Sequence, residues 1–189
     1  MKKVTALFLL LVLVFSLVLS GCKKIEYPND IDKKLYEETV KNLKEGQAFA
    51  FASVGGQYDV LLVADETFGI DGDKQGAKEA TLYCVDSGTH IMDYGKVISK
   101  SDNYPIAVFG KYLMFGDSSE ISKIYVDVQN GAIMTYENAA VTYDLYGSPS
   151  YSYFSLEEHI DGSAPDDSYM KSLQEDYTHA EPLAFTLVE

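Results

Sequence analysis

The chain has 189 residues, and its reactive side chains are two cysteines, three histidines and 29 acids. Cys22 stands in Leu19-Ser20-Gly21-Cys22, directly behind a small residue and a long apolar run. Its thiol is the only strong soft nucleophile there, so thioether formation is the chemistry its position invites. Cys84 lies in the strand-like run ATLYCVDS, where a thiol behaves as a small apolar group. A nucleophilic role would need a neighbouring base and an electropositive setting, and neither is visible. In DGDKQGAKE, residues 71–79, the carboxylates Asp71, Asp73 and Glu79 and the turn residue Gly76 fall at calcium-loop spacing, and hard oxygen ligands on a glycine-bent loop suit Ca²⁺. Leu82 occupies the place of the bidentate glutamate and Gln75 that of another ligand, so a polar β-turn between strands is the simpler expectation.

Glu157, Glu158, His159 and Asp161 collect carboxylates and an imidazole in one acidic segment, the material of a hydrolytic site or of a charged element end. His90, His159 and His179 have no metal-ligand spacing, and no phosphate-binding loop, dinucleotide fingerprint or nucleophile elbow occurs. Carboxylate pairs for glycoside hydrolysis are defined by spatial separation, and among so many acids no pair stands out. Fifteen tyrosines and no tryptophan give one positive clue. Tyr143, Tyr146, Tyr151 and Tyr153 surround a Gly-Ser-Pro-Ser turn, where rings could stack on sugars or peptide side chains, or simply form cross-strand pairs.

These groups need elements to position them. Met1, Lys2 and Lys3 form a positive start, and residues 4–19 form an apolar stretch too short to span a bilayer comfortably; this is the layout of a secretory signal peptide. Leu19-Ser20-Gly21-Cys22 resembles the lipobox of bacterial lipoproteins, and the chain as a whole resembles small surface lipoproteins of Gram-positive bacteria. The resemblance implies diacylglycerol on Cys22 and cleavage before it, leaving a palmitate-type double anchor in the cell membrane. One acyl chain binds membranes only marginally, whereas two hold firmly. The expected organisation is a cleaved signal peptide over residues 1–21, a lipidated cysteine and tether over 22–30, and one extracytoplasmic domain over 31–189.

The mature part keeps 13 lysines against 29 acids, a net charge of −16, and the chain has no arginine. Such a surface repels phosphate backbones and excludes nucleic acid as a partner. With Cys22 lipidated, no disulfide within the chain is possible, so a hydrophobic core must hold the domain. Asp30 as N-cap, Ile31, Leu35, Val40 and Leu43 at helical spacing and Gly46 as stop predict a helix over about 31–45. From Gln47 the period changes to two, and short runs rich in Val, Ile, Tyr and Phe follow one another between Gly, Asp, Asn and Ser. Asn130-Gly131 predicts a hairpin with a type I′ turn. A short helix is expected around 167–176, and the final LAFTLVE is expected to pair with FAFASV and close the sheet.

A weak echo at a spacing of 42 relates Leu82, Tyr83, Ile91, Met92 and Tyr94 to Ile124, Tyr125, Ile133, Met134 and Tyr136. The fold expected is all-β, mainly an antiparallel meander, sandwich or barrel-like, with one N-terminal helix; a propeller-like blade fragment is the alternative. The function expected is a membrane-anchored, non-catalytic binding or accessory module of the cell envelope, held to the bilayer through Cys22 and meeting a glycan, a peptide or an envelope protein. The alternatives are an envelope hydrolase using carboxylates or His159, and a calcium-responsive module using Asp71, Asp73 and Glu79. No other cofactor is implied.

Overall fold

A computed structural model describes residues 33–55, 58–85 and 90–188. The signal-like run, Cys22, the tether and Asp30 lie outside the described residues. In chain order the elements are α1 (Lys33–Lys41), β1 (Ala48–Val54), β2 (Tyr58–Ala64), β3 (Phe68–Asp71), β4 (Lys74–Gly76), β5 (Glu79–Val85), β6 (Ile91–Ile98), β7 (Ala107–Phe109), β8 (Tyr112–Gly116), β9 (Glu120–Asp127), β10 (Ala132–Tyr143), β11 (Pro149–Ser155), β12 (Ile160–Ala164), α2 (Ser168–His179), β13 (Glu181–Pro182) and β14 (Thr186–Leu187). The protein is all-β with a little helix. Two antiparallel sheets, ordered β14-β1-β2-β5-β6 and β12-β11-β10-β9-β8-β7-β13, lie face to face, and β3-β4 form a separate small hairpin.

The sequence alternation explains the layering. Side chains of successive strand residues point to opposite faces, so β1, AFAFASV, sends Ala48, Ala50, Ala52 and Val54 one way and Phe49 and Phe51 the other. The small residues meet Leu113, Ile124 and Val126 of the second sheet in the central core. Phe49, with Leu61 and Val63 of β2, instead packs under Tyr36 and Val40 of α1. Tyr36 meets Phe51 edge-on at 5.6 Å, and its hydroxyl donates to the Asp59 carbonyl at 2.7 Å. On the far side Met170 and Leu173 of α2 cover Met114, Ile121, Ala139 and Tyr153 of the second sheet. The result is four layers: helix, sheet, sheet, helix.

Several expectations are refined by this architecture. Among the described residues the first helix spans Lys33–Lys41 and ends short of Gly46, because the chain must turn there to bring Ala48 into β1; Gly46 takes φ +88° and its N–H donates to the Val188 carbonyl. The second helix runs to His179. The Asn130-Gly131 hairpin exists, but the connection from Asp127 to Ala132 spans four residues, and only Gly131 has positive φ. Asp127 caps it, accepting from the Asn130 N–H at 3.1 Å and from its side-chain amide at 2.6 Å. A type I′ turn needs positive φ at both central residues, so that turn type is corrected. The final run pairs with β1 as expected, Ala48 opposite Leu187 and Phe49 opposite Thr186, but it lies at the edge of an open sheet and does not close it.

The echo at 42 residues marks no propeller blade. Its first copy is β5-β6 in one sheet and its second is β9-β10 in the other. In each copy the later strand carries a bulge, beside Tyr94 in β6 and at Tyr136 in β10. The bulge at Tyr136 re-aims the strand, so that Ile133 faces the central core while Glu137 and Ala139 face α2.

That side holds a buried cation. Lys123 is 6 % exposed and its Nζ lies 2.5 Å from Glu137 and 2.6 Å from Asp176 of α2, above the Phe109 ring. Burial alone would push the ammonium down, but hydrogen bonds to Asp176 and Glu137 outweigh it and hold its pKa above the ordinary lysine value. Removing one partner of a buried charge set leaves the others unpaired. Lys123→Ala is therefore expected to cost roughly 3–5 kcal/mol in urea unfolding at neutral pH. Because the folded-state pKa is raised, the lysine's contribution is complete below its unfolded value of about 10.4 and is lost as pH rises through the folded value. The gap between wild type and variant should stay constant through neutral pH and narrow only in strong alkali.

The sheets are also tied at one end. The Ser99 hydroxyl, buried after β6, accepts from the Gly116 N–H at 2.9 Å and sits against the carbonyls of Tyr104 and Gly116, one of which takes its proton. Gly116 has φ +153°, and a Cβ there would stand 2.0 Å from the Glu120 carbonyl oxygen. Gly116→Ala should lower unfolding free energy by about 2–4 kcal/mol through strain and clash. Gly69→Ala, at a site with open space around it, should change it by less than about 1 kcal/mol.

Candidate functional site

Strand directions give the sandwich two distinct ends. Ala48 lies opposite Ala64 and Glu79 opposite Ile98, whereas Val54 lies opposite Tyr58 and Val85 opposite Ile91. The first set forms one end, continued into the second sheet by the Lys100 N–H bonded to the Gly116 carbonyl. The second set forms the other end, where Gly55 bonds to Lys111. Helix α1 enters at this second end, its Tyr36 bonded to Asp59, and leaves at the first, where β1 begins at Ala48.

At the first end a cleft of about 620 Å³ opens on the outer face of the five-stranded sheet. Helix α1 is nine residues long and covers Phe49, Leu61 and Val63. The cleft continues that face over Thr81 and Ile98, with Phe68 on the wall; Val63 at its edge is packed under α1, and the Ala80 side chain turns to the central core. Ile98 is 51 % exposed, an unusual setting for its side chain. One wall carries two neutralised lysines: Lys78 lies 2.8 Å from Asp102, and Lys96 is paired with Glu79. Hydrogen bonding to Asp102 and to Glu79, with the attraction of each carboxylate, holds these two ammonium groups above their ordinary pKa. The facing loop supplies Asp65 and Glu66. Asp65 accepts from the Gln47 side-chain amide at 2.8 Å, and neither acid has a lysine ion pair among the described residues.

The tyrosine cluster is divided by the structure. Tyr143 is 66 %, Leu145 101 % and Tyr146 93 % exposed at the tip of the β10-β11 hairpin, which projects beyond the same end as the cleft. Asp144 shapes the tip, its carboxylate accepting from the N–H groups of Tyr146 and Ser148, both at 2.8 Å; these bonds hold its pKa below the ordinary carboxylate value. Between positions 138 and 156 it is the only charged residue. Tyr151 is half-buried farther down β11. Tyr153 is 5 % exposed, stacked on Tyr169 at 3.8 Å, with its hydroxyl donating to Glu137 at 2.8 Å. Burial first, and then that carboxylate, push the Tyr153 phenol well above its usual pKa.

The residues read as a calcium loop separate. Asp71 and Asp73 sit at the exposed β3-β4 turn, whereas Glu79 opens β5 and pairs with Lys96 on the cleft wall. Among the described residues no three of His, Cys, Asp and Glu are grouped to hold a metal. Glu157, Glu158 and His159 share the exposed β11-β12 turn, where His159 takes φ +56°. The Glu157 carboxylate accepts from the Tyr136 hydroxyl, whose ring stacks on Tyr112 at 4.2 Å. Cys84 is buried in the central core.

Sequence reading missed the cleft because its charged residues are scattered from Asp65 to Asp102 and meet only through the β2-β5-β6 pairings. The signal that could have found it is Glu79-x-Thr81 set against Lys96-x-Ile98, two alternations on one face once the strands are paired. Tyr153→Ala should cost roughly 3–5 kcal/mol, the range for emptying a large aromatic from a core. Tyr146→Ala at the exposed tip should leave the thermal midpoint within experimental error. Among the described residues no helix is long and apolar enough to cross a membrane. Compared with known proteins, the chain matches no family model, no curated protein and no solved structure.

Proposed function

We infer that this protein is a lipid-anchored, extracytoplasmic binding module of the cell envelope, fixed through Cys22 and taking its ligand in the cleft at the end of the sandwich away from its tether. The observation that carries the reading is this polarity. The chain enters α1 at one end, while the cleft and the exposed hairpin tip occupy the other. A tether of the ten residues between Cys22 and Lys33 reaches at most about 35 Å. Such a leash would hold the domain near the bilayer, with the cleft on the end away from the chain's entry. The volume of the cleft falls in the range of small-molecule sites, and its lining is mostly polar and charged.

The anchor is tested by mass spectrometry and fractionation. The native protein should begin at a diacylglyceryl-modified Cys22, and Cys22→Ala should shift it from the membrane to the soluble fraction. An intact Met1, or a Cys22→Ala protein that stays in the membrane, would overturn the anchored reading.

A further inference from the structure

We propose that the cleft binds a small organic dication, an aliphatic chain bearing two or more ammonium groups. The inference rests on reading the cleft as the ligand site and adds the chemical class of its occupant. Three features carry it. The first is the charge on the walls. Four carboxylates face two lysines, and both lysines are already held by Asp102 and Glu79. Asp65 and Glu66 are left as two negative charges without a lysine partner across the cleft, and their fields reach Lys96 and Lys78. The second is the floor. Ile98, with Phe68 on the wall, offers an apolar surface on which methylene groups can lie, and the half-exposed Ile98 gains from being covered.

The third is positioning. The Gln47 amide holds Asp65 toward the cleft from the strand start, so one carboxylate is fixed before a ligand arrives. A bare metal ion suits the cleft poorly, because the acids are strung along the rim and no metal-holding group of three exists among the described residues. An anion meets the uncompensated pair. An alkyl diamine satisfies both requirements at once, its charged ends on the rim and its stem on the floor. The strongly negative chain also draws cations toward the site.

The test is calorimetry of the domain with cadaverine and spermidine, set beside the neutral pentanediol and the anionic glutarate, with amide NMR reporting on Thr81 and Ile98. The diamines are expected to bind and to shift the cleft resonances. Asp65→Asn and Glu66→Gln should each weaken binding about tenfold, the equivalent of about 1.4 kcal/mol. Asp161→Asn, an exposed acid on another element, should not. Added salt should weaken binding severalfold, as for exposed charge pairs.

Equal loss with Asp161→Asn would show a general attraction to the acidic surface and overturn the proposal. Binding of pentanediol or glutarate in preference, with the same residues shifted, would overturn the cationic class while leaving the cleft as a ligand site. Silence from every probe at millimolar concentration would overturn the cation proposal and remove the cleft from the functional reading, without touching the anchor, which stands on its own measurement.

Discussion

In β1 Phe49 and Phe51 alternate with Ala48, Ala50 and Ala52, and neither set can be left in water. A sheet that is apolar on both faces must be covered twice, and every layer of this protein answers to that constraint. Ala48, Ala50, Ala52 and Val54 of β1, with Val60 and Ala64 of β2 and Ala80 of β5, let the two sheets approach each other in the central core. The bulky residues between them need a second cover, which α1 supplies over Phe49, Leu61 and Val63. The second sheet repeats the arrangement with α2 over Met114 and Ile121. The cleft follows from the same geometry: α1 is short, the sheet face beyond it is uncovered, and charged residues rim what the helix does not reach.

The two sheets are variations on one plan. In each a meander runs away from a short strand contributed by the C-terminal tail, β14 beside β1 and β13 beside β7. Each has a bulge on the later strand of the echoed hairpin. They differ in how the outer helix is fixed. Under α1 the attachment is aromatic, with a single hydroxyl bonded to the Asp59 carbonyl. Under α2 it is ionic, with Lys123 joining Asp176 on the helix to Glu137 on β10. Removing one member of such a buried charge set leaves the others unpaired, and Tyr153 adds a further bond to Glu137.

Much of this architecture was legible in the sequence because strand periodicity is a local property. The run of alternating segments, both helices and the pairing of the two chain ends follow from residues read a few at a time. The layering was not, because AFAFASV reads as a single buried strand whichever face each ring takes. The turn at Asn130-Gly131 was misjudged in type because Asp127, outside the dipeptide, captures Asn130 and lengthens the loop. The echo at 42 residues was visible, but its meaning lay in which sheet each copy joins. The tyrosine cluster was legible as a composition and not as a surface, since Tyr153 turns inward while Tyr143 and Tyr146 stand at the tip. The cleft depended on pairings between distant segments and left no local mark.

The tail that edges both sheets bears on how the chain acquires its structure. Ala48 pairs with Leu187, almost the full span of the domain apart, and Ala107 with Pro182. Contacts of such long separation form late, since closing the loop between them must precede any gain from pairing. Until residues 181–187 are in place, β1 and β7 therefore each lack one of their two strand neighbours. Completing both sheets thus falls to one short segment, the last of the domain to find its partners.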